Sequence, residues 1–175
     1  MRFQMNARTW LTVVAPLLVP LVAAGVSVWA QSKSQAELRK PFVGTWRLVK
    51  IESASAQGDI DALRGKKPTG IIMYDAHGWM NAQIMPDRPR PKYTGTPTPE
   101  QALEAVRGYT AYWGTYTIDE KAGTITHHRQ GMLDGGGVDF VRKFELRNGG
   151  NQVILTPVSG GTTNIPNSLT WERVK

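Results

Sequence analysis

The chain has 175 residues, 21 basic and 14 acidic side chains for a net charge of +7, and no cysteine. That length suits one domain with a proper core, and the lack of cysteine excludes disulfides, thiol chemistry, thiolate metal sites and a lipoprotein anchor. The basic residues are scattered apart from Arg64-Gly65-Lys66-Lys67 and Arg88-Pro89-Arg90-Pro91-Lys92. With no nucleic-acid-binding motif present, the charge fits a solvated surface or weak contact with an anionic membrane surface, and no nucleic-acid partner is expected.

In chain order, Arg2 and Arg8 precede an uncharged apolar stretch, Leu11 to Val28, and Ala30 supplies the small residue that a cleavage point requires. This pattern predicts a signal peptide over residues 1–30 and export to the periplasm or outside the cell. Retention as an anchor is the alternative, since about 18 apolar residues just span a bilayer. Residues 31–41 are polar and read as a flexible lead-in.

Phe42 to Glu52 reads as the first strand, entered through Gly44-Thr45-Trp46. Gly58 to Lys67 is a polar connection with room for a short helical turn. Ile71 to Tyr74 is the second strand, and the turn Asp75-Ala76-His77-Gly78 hairpins it to a third, Trp79 to Met85. Pro86, Pro89, Pro91, Pro97 and Pro99 rule out a central strand over 86–99, which reads as an extended surface loop. Thr98, Pro99 and Gln101 then have the spacing of a capped helix start, predicting a short helix from Pro99 to Arg107 that Gly108 ends. Tyr109 to Ile118, Thr124 to Arg129 and Val138 to Leu146 are three further strands. Gln152 to Thr156 is a seventh, closed by Pro157, and Ser168 to Val174 an eighth, after a glycine, threonine and asparagine loop over Ser159 to Asn167.

Eight antiparallel strands, with one short helix between the third and fourth, predict an all-β, closed up-and-down barrel, because closure removes exposed edges. Eight strands leave an interior that side chains fill or that holds one small ligand. Alternation sets which residues face inward. Tyr112, Gly114, Tyr116 and Ile118 share a face, as do Ile125, His127 and Arg129, and Phe140, Arg142, Phe144 and Leu146. Arg142 therefore falls inside between two phenylalanines, where a guanidinium that cannot discharge needs a carboxylate, carbonyls or a ligand anion. On the last strand Leu169, Trp171 and Arg173 share a face. Pairing of the first and last strands would lay Arg173 across Trp46 in a cation–π contact that plugs one end.

The ordered series Gly44-Thr45-Trp46-Arg47-Leu48, Pro68-Thr69-Gly70, Tyr74 through Met80, Tyr112-Trp113-Gly114-Thr115-Tyr116, His127-His128, Arg142 and Trp171-Glu172-Arg173 resembles the lipocalin-like domain family of bacteria and fungi. The resemblance implies a small β-barrel over residues 42–175 with a central pocket. Some relatives in natural-product pathways are associated with cyclisation or pericyclic chemistry. Unlike the secreted animal lipocalins, this chain lacks a disulfide and a long helix after the barrel, and residues 131–137 form a glycine-rich turn at one rim of the mouth.

Adjacent His127 and His128 face opposite ways and His77 sits in a turn, so no metal site is expected, nor a cofactor. No Gly-x-Ser-x-Gly motif or phosphate loop occurs. The candidate ligand-binding residues are Tyr74, Met80, Tyr112, Tyr116, His127, Phe140 and Arg142; Trp46, Trp171 and Arg173 are candidate structural residues. Loop 86–97 and helix 99–107 would form a lid or rim. Two functions stay open, beside a third possibility of a filled barrel that holds no ligand and works as an interaction module. One is the binding of a small hydrophobic molecule with a carbonyl or anionic end. The other is an isomerase or cyclase in which His127 or a tyrosine acts as acid or base and Arg142 stabilises negative charge.

Overall fold

A computed structural model describes residues 33–133, 139–159 and 167–175. The leader, the glycine run 135–137 and most of the loop between the last two strands lie outside the described residues. Strands β1 (Gly44–Glu52), β2 (Thr69–Tyr74), β3 (Trp79–Met85), β4 (Thr110–Asp119), β5 (Thr124–Met132), β6 (Asp139–Arg147), β7 (Gln152–Ser159) and β8 (Ser168–Arg173) pair in sequence order into a closed antiparallel barrel, with β8 returning to β1. Helices α1 (Gln35–Arg39), α2 (Gln57–Arg64) and α3 (Pro99–Val106) lie outside the sheet order. No described helix is long and apolar enough to cross a membrane.

The interior follows the alternation. Ile72 and Tyr74 of β2, Met80, Ala82 and Ile84 of β3, Tyr112, Tyr116 and Ile118 of β4, and Val153 and Leu155 of β7 are all buried in one core with Phe42, Trp46 and Trp171. At one end the wall is sealed. Trp46 pairs with Arg173, whose guanidinium carbon lies 4.1 Å from the centre of the indole. The same guanidinium donates to the carbonyls of Val43 (2.5 Å) and Pro41 (2.6 Å), while Trp46 Nε1 donates to Phe42 O at 2.7 Å. Phe42 packs edge-on against Phe144 with ring centres 4.9 Å apart.

The lead-in, expected to be loose, instead carries α1, and its own side chains, two of which reach the backbone of β4, explain why. Ser34 and Glu37 close a capping box. The amide of Gln35 then copies a strand edge: its Nε2 donates to Ile118 O at 2.7 Å and its Oε1 accepts from Ile118 N at 3.0 Å. Arg39 donates to Tyr116 O at 3.1 Å and lies over the Tyr116 ring. The helix therefore extends the sealed end over β4.

At the opposite end, the polar connection folds as α2 and drives Ile60 into the core, where it is 2% exposed. Helix α3 forms where predicted, with Thr98 and Gln101 completing its capping box. It buries no residue and has no basic residue in its last turn. The proline loop supplies that charge from outside: Arg88 donates to the carbonyls of Glu104 and Arg107 and pairs with the Glu104 carboxylate, and Arg90 donates to Ala105 O. Cations at the carbonyl end of a helix complement its dipole, so loop and helix form one clamped piece.

Two strands run further than expected. Strand β5 continues past Arg129 to Met132 because a bulge absorbs one residue: Gly114 pairs with Arg129, Trp113 with Gly131, and Gln130 is the extra. A Cβ on Gly114 would lie 2.0 Å from His128 O, so the bulge requires glycine there. Strand β7 runs through Pro157, which sits opposite Arg142 where the β6–β7 register shifts, a place where a missing N–H costs little.

Two outcomes test this account. Arg173→Ala removes a cation–π contact and three carbonyl partners, those of Val43, Pro41 and Gly150, and is expected to lower stability by about 2–4 kcal/mol in denaturant melts, with Arg173→Lys recovering only part. Gly114→Ala is expected to cost at least about 1–3 kcal/mol, because backbone rather than a mobile side chain must move.

Candidate functional site

A cluster of polar side chains sits in the middle of the barrel. His127 of β5 is fully buried. Its Nε2 is 2.8 Å from Tyr74 Oη, and its Nδ1 is 2.7 Å from a terminal nitrogen of Arg142 and 2.9 Å from Tyr112 Oη. These residues come from β2, β4, β5 and β6, which alternation and register alone bring together. Phe140 pairs with His127 across β5–β6, and the Arg142 guanidinium lies 3.4 Å from the centre of its ring.

The partners fix the histidine's tautomer. A guanidinium only donates, so Nδ1 is bare and accepts; Nε2 then carries the hydrogen and donates to Tyr74. Burial first, and then the charges of Arg142 and Arg129, hold His127 well below the ordinary histidine value. Burial pushes the Tyr74 phenol well above its ordinary range. Both groups are therefore neutral across ordinary pH.

The cluster is rich in donors. One lone pair on Nδ1 faces two of them, the Arg142 N–H and the Tyr112 hydroxyl. Arg142 is 5% exposed, its buried Nε has no hydrogen-bond partner, and among the described residues no carboxylate forms an ion pair with it. A cation–π contact returns about 0.5–2 kcal/mol, less than the several kcal/mol that burying a charge costs.

Arg129 is the residue that reading for candidate groups passed over. Alternation placed it inward with His127, and it is 2% exposed, with its guanidinium carbon 5.2 Å from the centre of the Phe140 ring and 5.6 Å from that of Tyr112. Parity was its only signal in the sequence. The remaining candidates divide. Met80 is buried in the apolar wall. Tyr116 belongs to the sealed end: its hydroxyl donates to Asp75 O at 2.7 Å, its N–H donates to Gly78 O, and burial pushes its phenol up to about 12. Trp46, Trp171 and Arg173 also lie at that end. The other histidine of the pair, His128, points outward and bridges Asp139 and Thr117.

The chain resembles the fatty-acid-binding protein 1 of Echinococcus granulosus at 12% identity and a TM-score of 0.39, covering 78% of this chain and 99% of that one. It resembles a variant of the fluorescent protein UnaG at 14% identity and a TM-score of 0.37, covering 78% and 98%. No curated protein matches it by sequence. The lipocalin-like domain profile matches residues 43–174, from the residue before β1 to the one after β8, and on that match the chain belongs to the lipocalin-like domain family.

Proposed function

We propose that this barrel binds a small, mainly hydrophobic molecule and receives its carbonyl or anionic end at Arg142 and Tyr112. One observation carries the reading: a guanidinium buried in the middle of the barrel with an unpartnered Nε and no carboxylate against it among the described residues. A ligand oxygen would take the Arg142 N–H groups and one of the two donors that compete for His127 Nδ1. Phe140 holds the guanidinium flat, and Met80, Ile72, Ile84 and Leu155 line the surrounding apolar wall. Export is part of the proposal, supported by the leader pattern at residues 1–30.

The isomerase or cyclase reading gives His127 an acid–base role, and the geometry runs against it. Both ring nitrogens are engaged, and burial and two nearby guanidiniums keep the ring from taking up a proton. Binding is the function that the cluster supports best.

Displacement titrations with dodecanoate and dodecanol test the proposal. The carboxylate is expected to bind at least about tenfold more tightly than the alcohol, as a charge-assisted hydrogen bond is worth about 1.5–3 kcal/mol. Arg142→Leu is expected to erase that preference while leaving the empty protein as stable or more so, because an under-compensated buried charge is gone. Equal affinity for the two probes would overturn the reading. The histidine gives a pH signature. The unfolded chain takes up a proton at His127 near the ordinary value and the folded chain does not, so stability present above about pH 6.5 falls as pH drops below it. Between pH 7 and pH 5 wild type is expected to lose up to about 2 kcal/mol more than His127→Gln in denaturant melts.

A further inference from the structure

The geometry points to a second binding site on the outer wall of the barrel, for a neutral saccharide. Trp79 and Trp113 stand outward on β3 and β4, 48% and 51% exposed, with ring centres 6.3 Å apart and planes inclined by 34°. Neither indole is needed by the core. Trp113 is held in place: a Cβ on Gly131, its partner across β4–β5, would lie 2.2 Å from Trp113 Nε1, so the indole lies directly over that glycine. The bulge at Gln130 brings Gly131 into this position.

Beside Trp113 the outward row of β4 carries a small residue, Ala111, and a hollow of about 360 Å³ opens over it, bordered by Asn81, Gln83 and Leu133. Asn81 pairs with Trp113 and Gln83 with Ala111 across β3–β4. The Asn81 side chain has no hydrogen-bond partner among the described residues, while Gln83 accepts from Tyr109 through Oε1 and keeps its amino group. On the far side of these two amides a groove of about 790 Å³ continues over Met73 and Met85 toward Arg47.

Chemistry narrows the occupant. No Asp, Glu, Lys, Arg or His lines the hollow beside Trp113, so charge complementarity selects an uncharged ligand. A pyranose ring has a C–H face that packs on an indole, and its edge carries hydroxyls that both donate and accept. A side-chain amide also does both. An aromatic wall with a few polar groups at fixed positions is the usual form of a small-molecule site. A purely apolar occupant would leave the Asn81 side chain and the Gln83 amino group unused, and no cation lines this hollow for an anion. The site shares no residue with the Arg142 cluster except Tyr112, which lines the hollow on one side of the wall and faces the barrel interior on the other.

The test uses the full chain, titrated by calorimetry with chitotetraose and cellotetraose. Saturable binding of at least one is expected. Trp113→Ala and Ala111→Leu, the second filling the hollow without touching an indole, are each expected to weaken it at least about tenfold while leaving the circular dichroism spectrum and dodecanoate binding unchanged. The inference is overturned if neither saccharide binds saturably, if Ala111→Leu binds as wild type does, or if the tryptophans respond only to dodecyl detergent or to self-association.

Discussion

A guanidinium stays charged wherever the chain puts it, and this barrel encloses two. That constraint organises the interior more than any apolar contact does. Burial first, and then the two guanidiniums, hold His127 in the neutral form, and the Arg142 donor dictates which ring nitrogen carries the hydrogen. The same constraint accounts for Phe140, whose ring face is the cheapest flat surface on which to rest the cation.

The other arginines make the contrast plain. Arg173 at the sealed end is met by the carbonyls of Pro41 and Val43 and by the Trp46 face. Arg88 and Arg90 are met by the free carbonyls of α3, and Arg39 by those of His77 and Tyr116. Where the fold uses an arginine as a fastener, it surrounds it with oxygen. Arg142 is given one imidazole lone pair and an aromatic ring. This difference in treatment within one small domain is what the proposed ligand-binding role of Arg142 rests on.

Much of this was legible in the residues alone. Strict alternation told inside from outside for every central strand, and it put His127, Arg129 and Arg142 in the interior and Arg173 across Trp46. The capped start of α3 was legible because a capping box is local. What escaped was non-local. Helix α1 is held by the Gln35 amide reading the backbone of Ile118, a pairing across 83 positions that no local pattern encodes. The bulge at Gln130 depends on the partner strand, so Gly131 and Met132 looked like turn when they are strand. Pro157 looked like a terminator because its tolerance comes from the register shift opposite it. Tyr116 looked like a pocket residue because alternation gives a face and not a height along the barrel axis.

The seam between β1 and β8 has a consequence for how the molecule is made. Trp46 is near the start of the barrel and Arg173 is the final residue of its last strand, so the ring cannot be joined until β8 has been made. Until then β1 has an unpaired edge and Trp46 no cation above it, and closing so long a loop is the slow, entropically costly step of such a topology. A nascent chain emerging from the ribosome therefore holds its tryptophan-bearing edge open until β8 has followed. Loss of β8 would leave a curled ribbon with two exposed margins rather than a slightly shorter vessel.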